Sequence, residues 1–181
     1  MSRQREGDAQ AAPAAAGSAR EIVETDRKYT YLLGALHASL NSLELSLRIT
    51  LYFMDTPREQ RLSRDFRVAG LRVGDRLPIS LLTKHAFLSE FVAEYNKRQM
   101  AAGLATIDVE IVDLRNELAH GLISVASAAD PAFTLIRLGK AQDGAVPVIA
   151  RWEMTADWLR DQCARVNAVL RQVNARLHEV K

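Results

Sequence analysis

Leucines recur along the first third of the chain at spacings of three and four: Leu33, Leu36, Leu40, Leu43, Leu47 and Leu51. That period is the mark of a helix buried along one side. Within the same stretch, Leu43 to Leu51 also alternates apolar and polar residues strictly, which is a strand signal. The upstream pattern, and the lack of any Gly or Pro between Ala35 and Pro57, favour helix, so one long helix is predicted from Ser18 to Met54. At about 100° per residue, Leu45, Ile49 and Phe53 form a second apolar stripe turned away from the first. A helix apolar on two sides needs two partners. One is the core of its own domain, and the other is either a further neighbour in the same chain or a second subunit.

A second helix is predicted from Pro78 to Met100, with Leu81, Leu82, Phe87, Leu88, Phe91 and Val92 inside. A third spans Ala105 to Ala119, its core stripe being Ile107, Ile111, Leu114 and Leu118, with Gly121 as a stop able to take the left-handed backbone. Three β-leaning runs follow: Leu122 to Ala126, Phe133 to Leu138, and Val146 to Trp152. Asp130-Pro131 breaks the first pair, and Gly139 with Asp143-Gly144 the second, which predicts a small antiparallel hairpin or meander. Thr155 is placed to cap the last helix. Along that helix Leu159, Cys163, Val166, Leu170, Val173, Leu177 and Val180 repeat as a heptad seam.

At 20.1 kDa, with 48% hydrophobic and 25% charged residues, the chain has the size and balance of one globular domain. Residues 1 to 19, rich in Ala, Gly, Gln and charge, read as a flexible leader, and residues 20–181 as the domain. Aromatic content of 6% argues against broad base-stacking platforms. A net charge of +2 requires any basic footprint to be local. The residues between 55 and 79 hold Arg58, Arg61, Arg64, Arg67, Arg72 and Arg76, which read either as a track for a phosphate backbone or as a solvated connector. The single cysteine, Cys163, excludes an internal disulfide and a cysteine metal cluster, and it reads as a small buried apolar residue. With no apolar leader and no 18-residue apolar run, the expectation is a cytoplasmic protein with no membrane contact.

The chemistry is concentrated in Arg115-Asn116-Glu117-Leu118-Ala119-His120-Gly121. A guanidinium can neutralise charge building on a phosphate, and an imidazole can move a proton near neutral pH. On a straight helix Arg115 and His120 lie about 140° apart and about 7.5 Å along the axis, whereas Asn116 and His120 share a face with Asp113 and Val109. Either Arg115 reaches round to the cleft of Asn116 and His120, or two copies of the motif complete one site across a symmetric dimer. The bland alternative is that an Arg in a last turn and a His beside a Gly are ordinary helix-ending residues. No His/Cys/carboxylate cluster has metal-ligand spacing, and no cofactor is implied. His37, His85 and His178 have no comparable setting.

Leu114-Arg115-Asn116-Glu117-Leu118-Ala119-His120-Gly121 resembles the Arg-x4–6-His signature of the HEPN superfamily, in which a polar residue commonly follows the arginine. The motif covers eight residues, and the order of helices over roughly 20 to 180 is similar as well. The resemblance implies a mainly α fold, a HEPN-like bundle of four to five helices, here with a small antiparallel β hairpin or meander before the C-terminal helix. It implies a metal-independent ribonuclease of a toxin–antitoxin or antiviral-defence type, acting as a homodimer on RNA and held by an antitoxin or other protein partner. Arg115 and His120 would be the catalytic pair, and Asn116 the supporting polar residue. Some members keep the fold as non-catalytic interaction or regulatory modules, and that alternative stands, as does an RNA-binding adaptor using the arginine connector. The β-leaning segment is longer than a minimal bundle of this kind requires.

Overall fold

The computed structural model describes residues 14–63, 68–77, 86–125 and 133–181. Among the described residues four α-helices and one sheet run in the order α1 (Ala14–Asp55), α2 (Leu88–Ala101), α3 (Glu110–His120), β1 (Leu122–Val125), β2 (Phe133–Leu138), β3 (Val148–Met154) and α4 (Ala156–Val180). The fold is therefore mainly helical, with a small three-stranded antiparallel sheet ahead of the last helix. Among the described residues, no helix is long and apolar enough to cross a membrane.

α1 is helical through Leu43–Phe53, so the alternating signal there is a coincidence of two periods. The leucine stripe wins because its members bury together: Leu36, Leu40, Leu43, Leu47 and Leu51 all lie in the core. The helix also starts earlier than the sequence predicts, at Ala14, inside the segment read as a leader. Alanine is the strongest helix former, and no proline follows until Pro57. Residues 1–13 of that leader lie outside the described residues.

The heptad seam of α4 packs along α1, and the two helices run in the same direction. Tyr29 Oη accepts from the Ala156 amide, Leu32 O lies 3.7 Å from Cys163 Sγ, and Ser39 Oγ donates to Asn167 at 3.2 Å. Leu159, Val166 and Val173 are fully buried, while Cys163, Leu170, Leu177 and Val180 are half-buried, so one of the two seam rows carries most of the packing. A parallel pair requires the chain to return between them, and α2, α3 and the sheet make that return.

The second stripe of α1 divides. Phe53 is buried, with Tyr52 edge-on at 5.3 Å and the cations of Arg61 and Lys181 at 5.8 and 5.7 Å from its ring. Leu45, two turns earlier, is 37% exposed. α2 joins α1 through Arg48, whose guanidinium sits 4.1 Å from the Phe91 ring centre, and through the Arg98–Asp55 ion pair. The expected second helix is shorter than predicted: it begins at Leu88, and residues 78–85, with Leu81, Leu82 and His85, lie outside the described residues. Phe87, expected inside, is 73% exposed. It occupies the N-cap in an extended conformation, which turns its side chain off the buried face, and its amide donates to Glu90 at 3.2 Å.

α3 likewise begins at Glu110 and not at Ala105. Asp108 Oδ1 accepts from the Glu110 amide at 3.0 Å and starts the helix there. Ile107, outside the helix, is nonetheless buried, because the Asn96 side chain clamps its backbone with two 2.7 Å hydrogen bonds. The meander follows order β1-β2-β3, with Leu135 opposite both Ile123 and Trp152. Its second connection closes on Asp143-Gly144, both at positive φ, between paired Gln142 and Ala145, as a type I′ turn requires. Phe133, Leu135 and Met154 carry one sheet face into the core, where Phe133 meets the Tyr29 ring at 5.1 Å.

Candidate functional site

The motif-bearing helix is fixed at both ends. At its start Arg165 of α4 holds Asp108 at 2.6 Å and Glu110 at 2.8 Å. At its end Glu117 pairs with Arg137 of β2. Between them Ile111, Val112, Leu114 and Leu118 are buried in the core. A rigid element of this kind presents its polar side chains at fixed angles.

Gly121 serves a different purpose from the one expected. Its backbone is extended, φ −79° and ψ 152°, so no left-handed conformation is involved. A Cβ there would lie 2.4 Å from Leu135 Cδ1 and 2.6 Å from Glu117 O. The missing side chain lets β2 close against the end of α3. β1 then begins at Leu122, one residue past the Gly121 cap, so His120 stands at the junction of helix and sheet.

Arg115, Asn116 and His120 all stand on α3, which stays helical through His120. Arg115 and Asn116 are half-buried, and Arg115 Nη1 donates to Asn116 Oδ1 at 3.4 Å. His120 is exposed. Asn116 and His120 are four residues apart on one face. Arg115 and His120 remain about 140° apart around the axis, as a continuous helix dictates. The structure therefore brings the guanidinium to the amide, and the amide to the side of the imidazole. It does not close the three into one pocket within a single chain.

His37 and His178 are exposed. In the arginine connector, Arg61 is committed to the fold: Nη1 donates to Val180 O and Nε to Thr56 O, both at 2.8 Å. Arg58, Arg72 and Arg76 are exposed, while Arg64 and Arg67 lie outside the described residues. Among the described residues no group of three or more His, Cys, Asp or Glu could hold a metal ion. Burial pushes the Cys163 thiol pKa up, as suits a packing residue.

Sequence reasoning missed a cleft beside the Asn116–His120 face of α3, which Asp113 shares. It is lined by Asp113 and Glu117 of α3, Leu135 and Trp152 of the sheet, and Trp158 and Arg165 of α4. The available signals were Asp113 and Glu117 one turn apart, and the only two tryptophans standing six residues apart at the strand–helix junction. No family model, curated protein or solved structure matches the chain.

Proposed function

We propose that the chain is a HEPN-like, metal-independent endoribonuclease of a toxin or antiviral-defence type, working as a cytoplasmic homodimer under the control of a protein partner. The observation that carries the reading is the Arg115–Asn116 hydrogen bond beside an exposed His120 on the same rigid helix. The reaction is attack of a ribose 2′-oxygen on the adjacent phosphorus, with departure of the 5′-oxygen of the next nucleotide. The products are a 2′,3′-cyclic phosphate and a 5′-hydroxyl. Neutral His120 takes the 2′-hydroxyl proton and, as the imidazolium so formed, returns it to the leaving 5′-oxygen, with Arg115 supplied by the second copy. General acid–base help of this kind is worth roughly 10²–10⁴-fold. Arg115, steadied by Asn116, holds the non-bridging oxygens as charge develops on them. A second copy is needed because one helix separates Arg115 from His120.

The test is cleavage of RNA in EDTA by the wild type, His120→Ala and Arg115→Ala. Activity in the wild type alone is expected. Equal activity in all three, or none in any, contradicts the proposal. Mixing the two variants tests the shared site: partial recovery is expected where one copy supplies His120 and the other Arg115.

The angular separation of Arg115 and His120 favours a second reading wherever no second copy completes the site. In that reading the protein is a non-catalytic helical interaction module. His120→Ala then weakens partner binding or lowers the melting temperature, while RNA stays intact with every variant.

A further inference from the structure

The cleft between α3, the sheet and the start of α4 has the chemistry of a cation site. It encloses about 310 Å³ and draws on both tryptophans of the chain, each half-buried against the core. Its α3 wall carries Asp113 and Glu117 one turn apart on one face. Arg165, the one basic residue of the lining, is occupied by Asp108 and Glu110. Glu117 gives Oε1 to Arg137, while its Oε2 is shielded from water and has no hydrogen-bond partner among the described residues. Asp113 is exposed and makes no ion pair among the described residues.

An exposed carboxylate with no ion pair among the described residues, one turn from a second carboxylate and beside two indoles, is the environment of a hydrogen-bonding organic cation. Indole faces attract such a cation through their quadrupole. Carboxylates select among cations by hydrogen bonding, and a planar guanidinium both forks onto carboxylates and lies flat on aromatic rings. We propose that this cleft binds a guanidinium group, held by Asp113 and Glu117 and covered by Trp152 and Trp158. The cleft shares α3 with the motif, and its Asp113 stands on the face of Asn116 and His120, while the binding it offers does not depend on any RNA reaction.

Because both tryptophans line the cleft, their fluorescence reports it directly. The full chain is titrated with agmatine as a free small guanidine, with N-acetyl-arginine amide as a chain-borne one, and with choline as a cation lacking N–H donors. No RNA is present, so the result is independent of any nuclease activity. A saturable change in emission at up to about millimolar concentration is expected with a guanidinium compound, with choline weaker by about tenfold or more. Whichever guanidinium binds more tightly identifies the source as a free ligand or a partner's arginine. Asp113→Asn and Glu117→Gln are each expected to weaken binding about tenfold or more. Asp113 is exposed and makes no ion pair, so its variant keeps the fold even where loss of the Glu117–Arg137 pair costs stability. The proposal is overturned by the absence of a saturable response, by equal affinity for choline, or by unchanged affinity in Asp113→Asn at an unchanged melting temperature.

Discussion

Replacing Gly121 by alanine probes the junction that places His120, and the structure fixes the sign of the effect. The added methyl would stand 2.4 Å from Leu135 Cδ1 and 3.1 Å from Leu135 Cγ, inside normal contact. Leu135 is only 2% exposed and cannot move outward, and the other close atom, Glu117 O at 2.6 Å, is helix backbone. Overpacking of this kind costs about 1–3 kcal/mol. In a domain of this size each kcal/mol shifts the melting temperature by about 2–4 °C, so a fall of roughly 2–12 °C is expected. Gly34 supplies the control. It lies within α1, where a Cβ meets nothing within 4 Å, so Gly34→Ala should stabilise by about 0.5–1 kcal/mol. Urea unfolding at unchanged slope measures both substitutions. Leu135→Val removes the atom nearest the new methyl, so the double variant Gly121→Ala/Leu135→Val should be less destabilised than the sum of its singles. A neutral Gly121→Ala, or a strictly additive cycle, would refute the close packing of β2 on the end of α3.

Three further outcomes follow from particular contacts. Asn96→Ala strips both hydrogen bonds from the buried backbone of Ile107, and urea unfolding should show a loss of about 1–3 kcal/mol. Burial raises the Tyr95 hydroxyl pKa, with Arg176 opposing and Glu179 reinforcing the shift. The folded state thus holds that proton more tightly than the unfolded chain, and stability should fall as pH rises above the ordinary value of 10.0 and through the raised one. Tyr95→Phe should flatten that alkaline limb in thermal melts, and an unchanged limb would assign it to other groups. The Cys163 thiol, raised by burial, should react with a thiol reagent at neutral pH more slowly than it does in the unfolded chain; equal rates would place it at the surface.

Much of the fold is legible because its signals are local and periodic. The leucines of α1, the seam of α4, the Thr155 cap and the Asp143-Gly144 turn each follow from residues a few positions apart. Thr155 does accept from the Trp158 amide, at 3.1 Å. What the pattern does not carry is set by long-range partners. The parallel course of α1 and α4 is written in pairs such as Ser39 with Asn167, which no spacing announces. The true start of α3 depends on Asp108 and Arg165, 57 residues apart. Gly121 was recognisable as a stop, but its reason is Leu135, brought near only by the fold. The same limit governs the site. Arg115, Asn116 and His120 stand out in the sequence by residue type and spacing, while the carboxylate and indole cleft beside them exists only once α3, the sheet and α4 meet.

What Arg115 and His120 do to RNA is written in the ends of the product strands. A defined RNA oligonucleotide is incubated with the protein in EDTA and its fragments are weighed by mass spectrometry. His120 is exposed, so His120→Ala should leave stability within about 0.5 kcal/mol and serve as a clean comparison. Fragments ending in 2′,3′-cyclic phosphate and beginning with 5′-hydroxyl are expected, and none with His120→Ala or Arg115→Ala at unchanged melting temperature. Intact RNA with the wild type, or the same fragments from the His120→Ala protein, would contradict it.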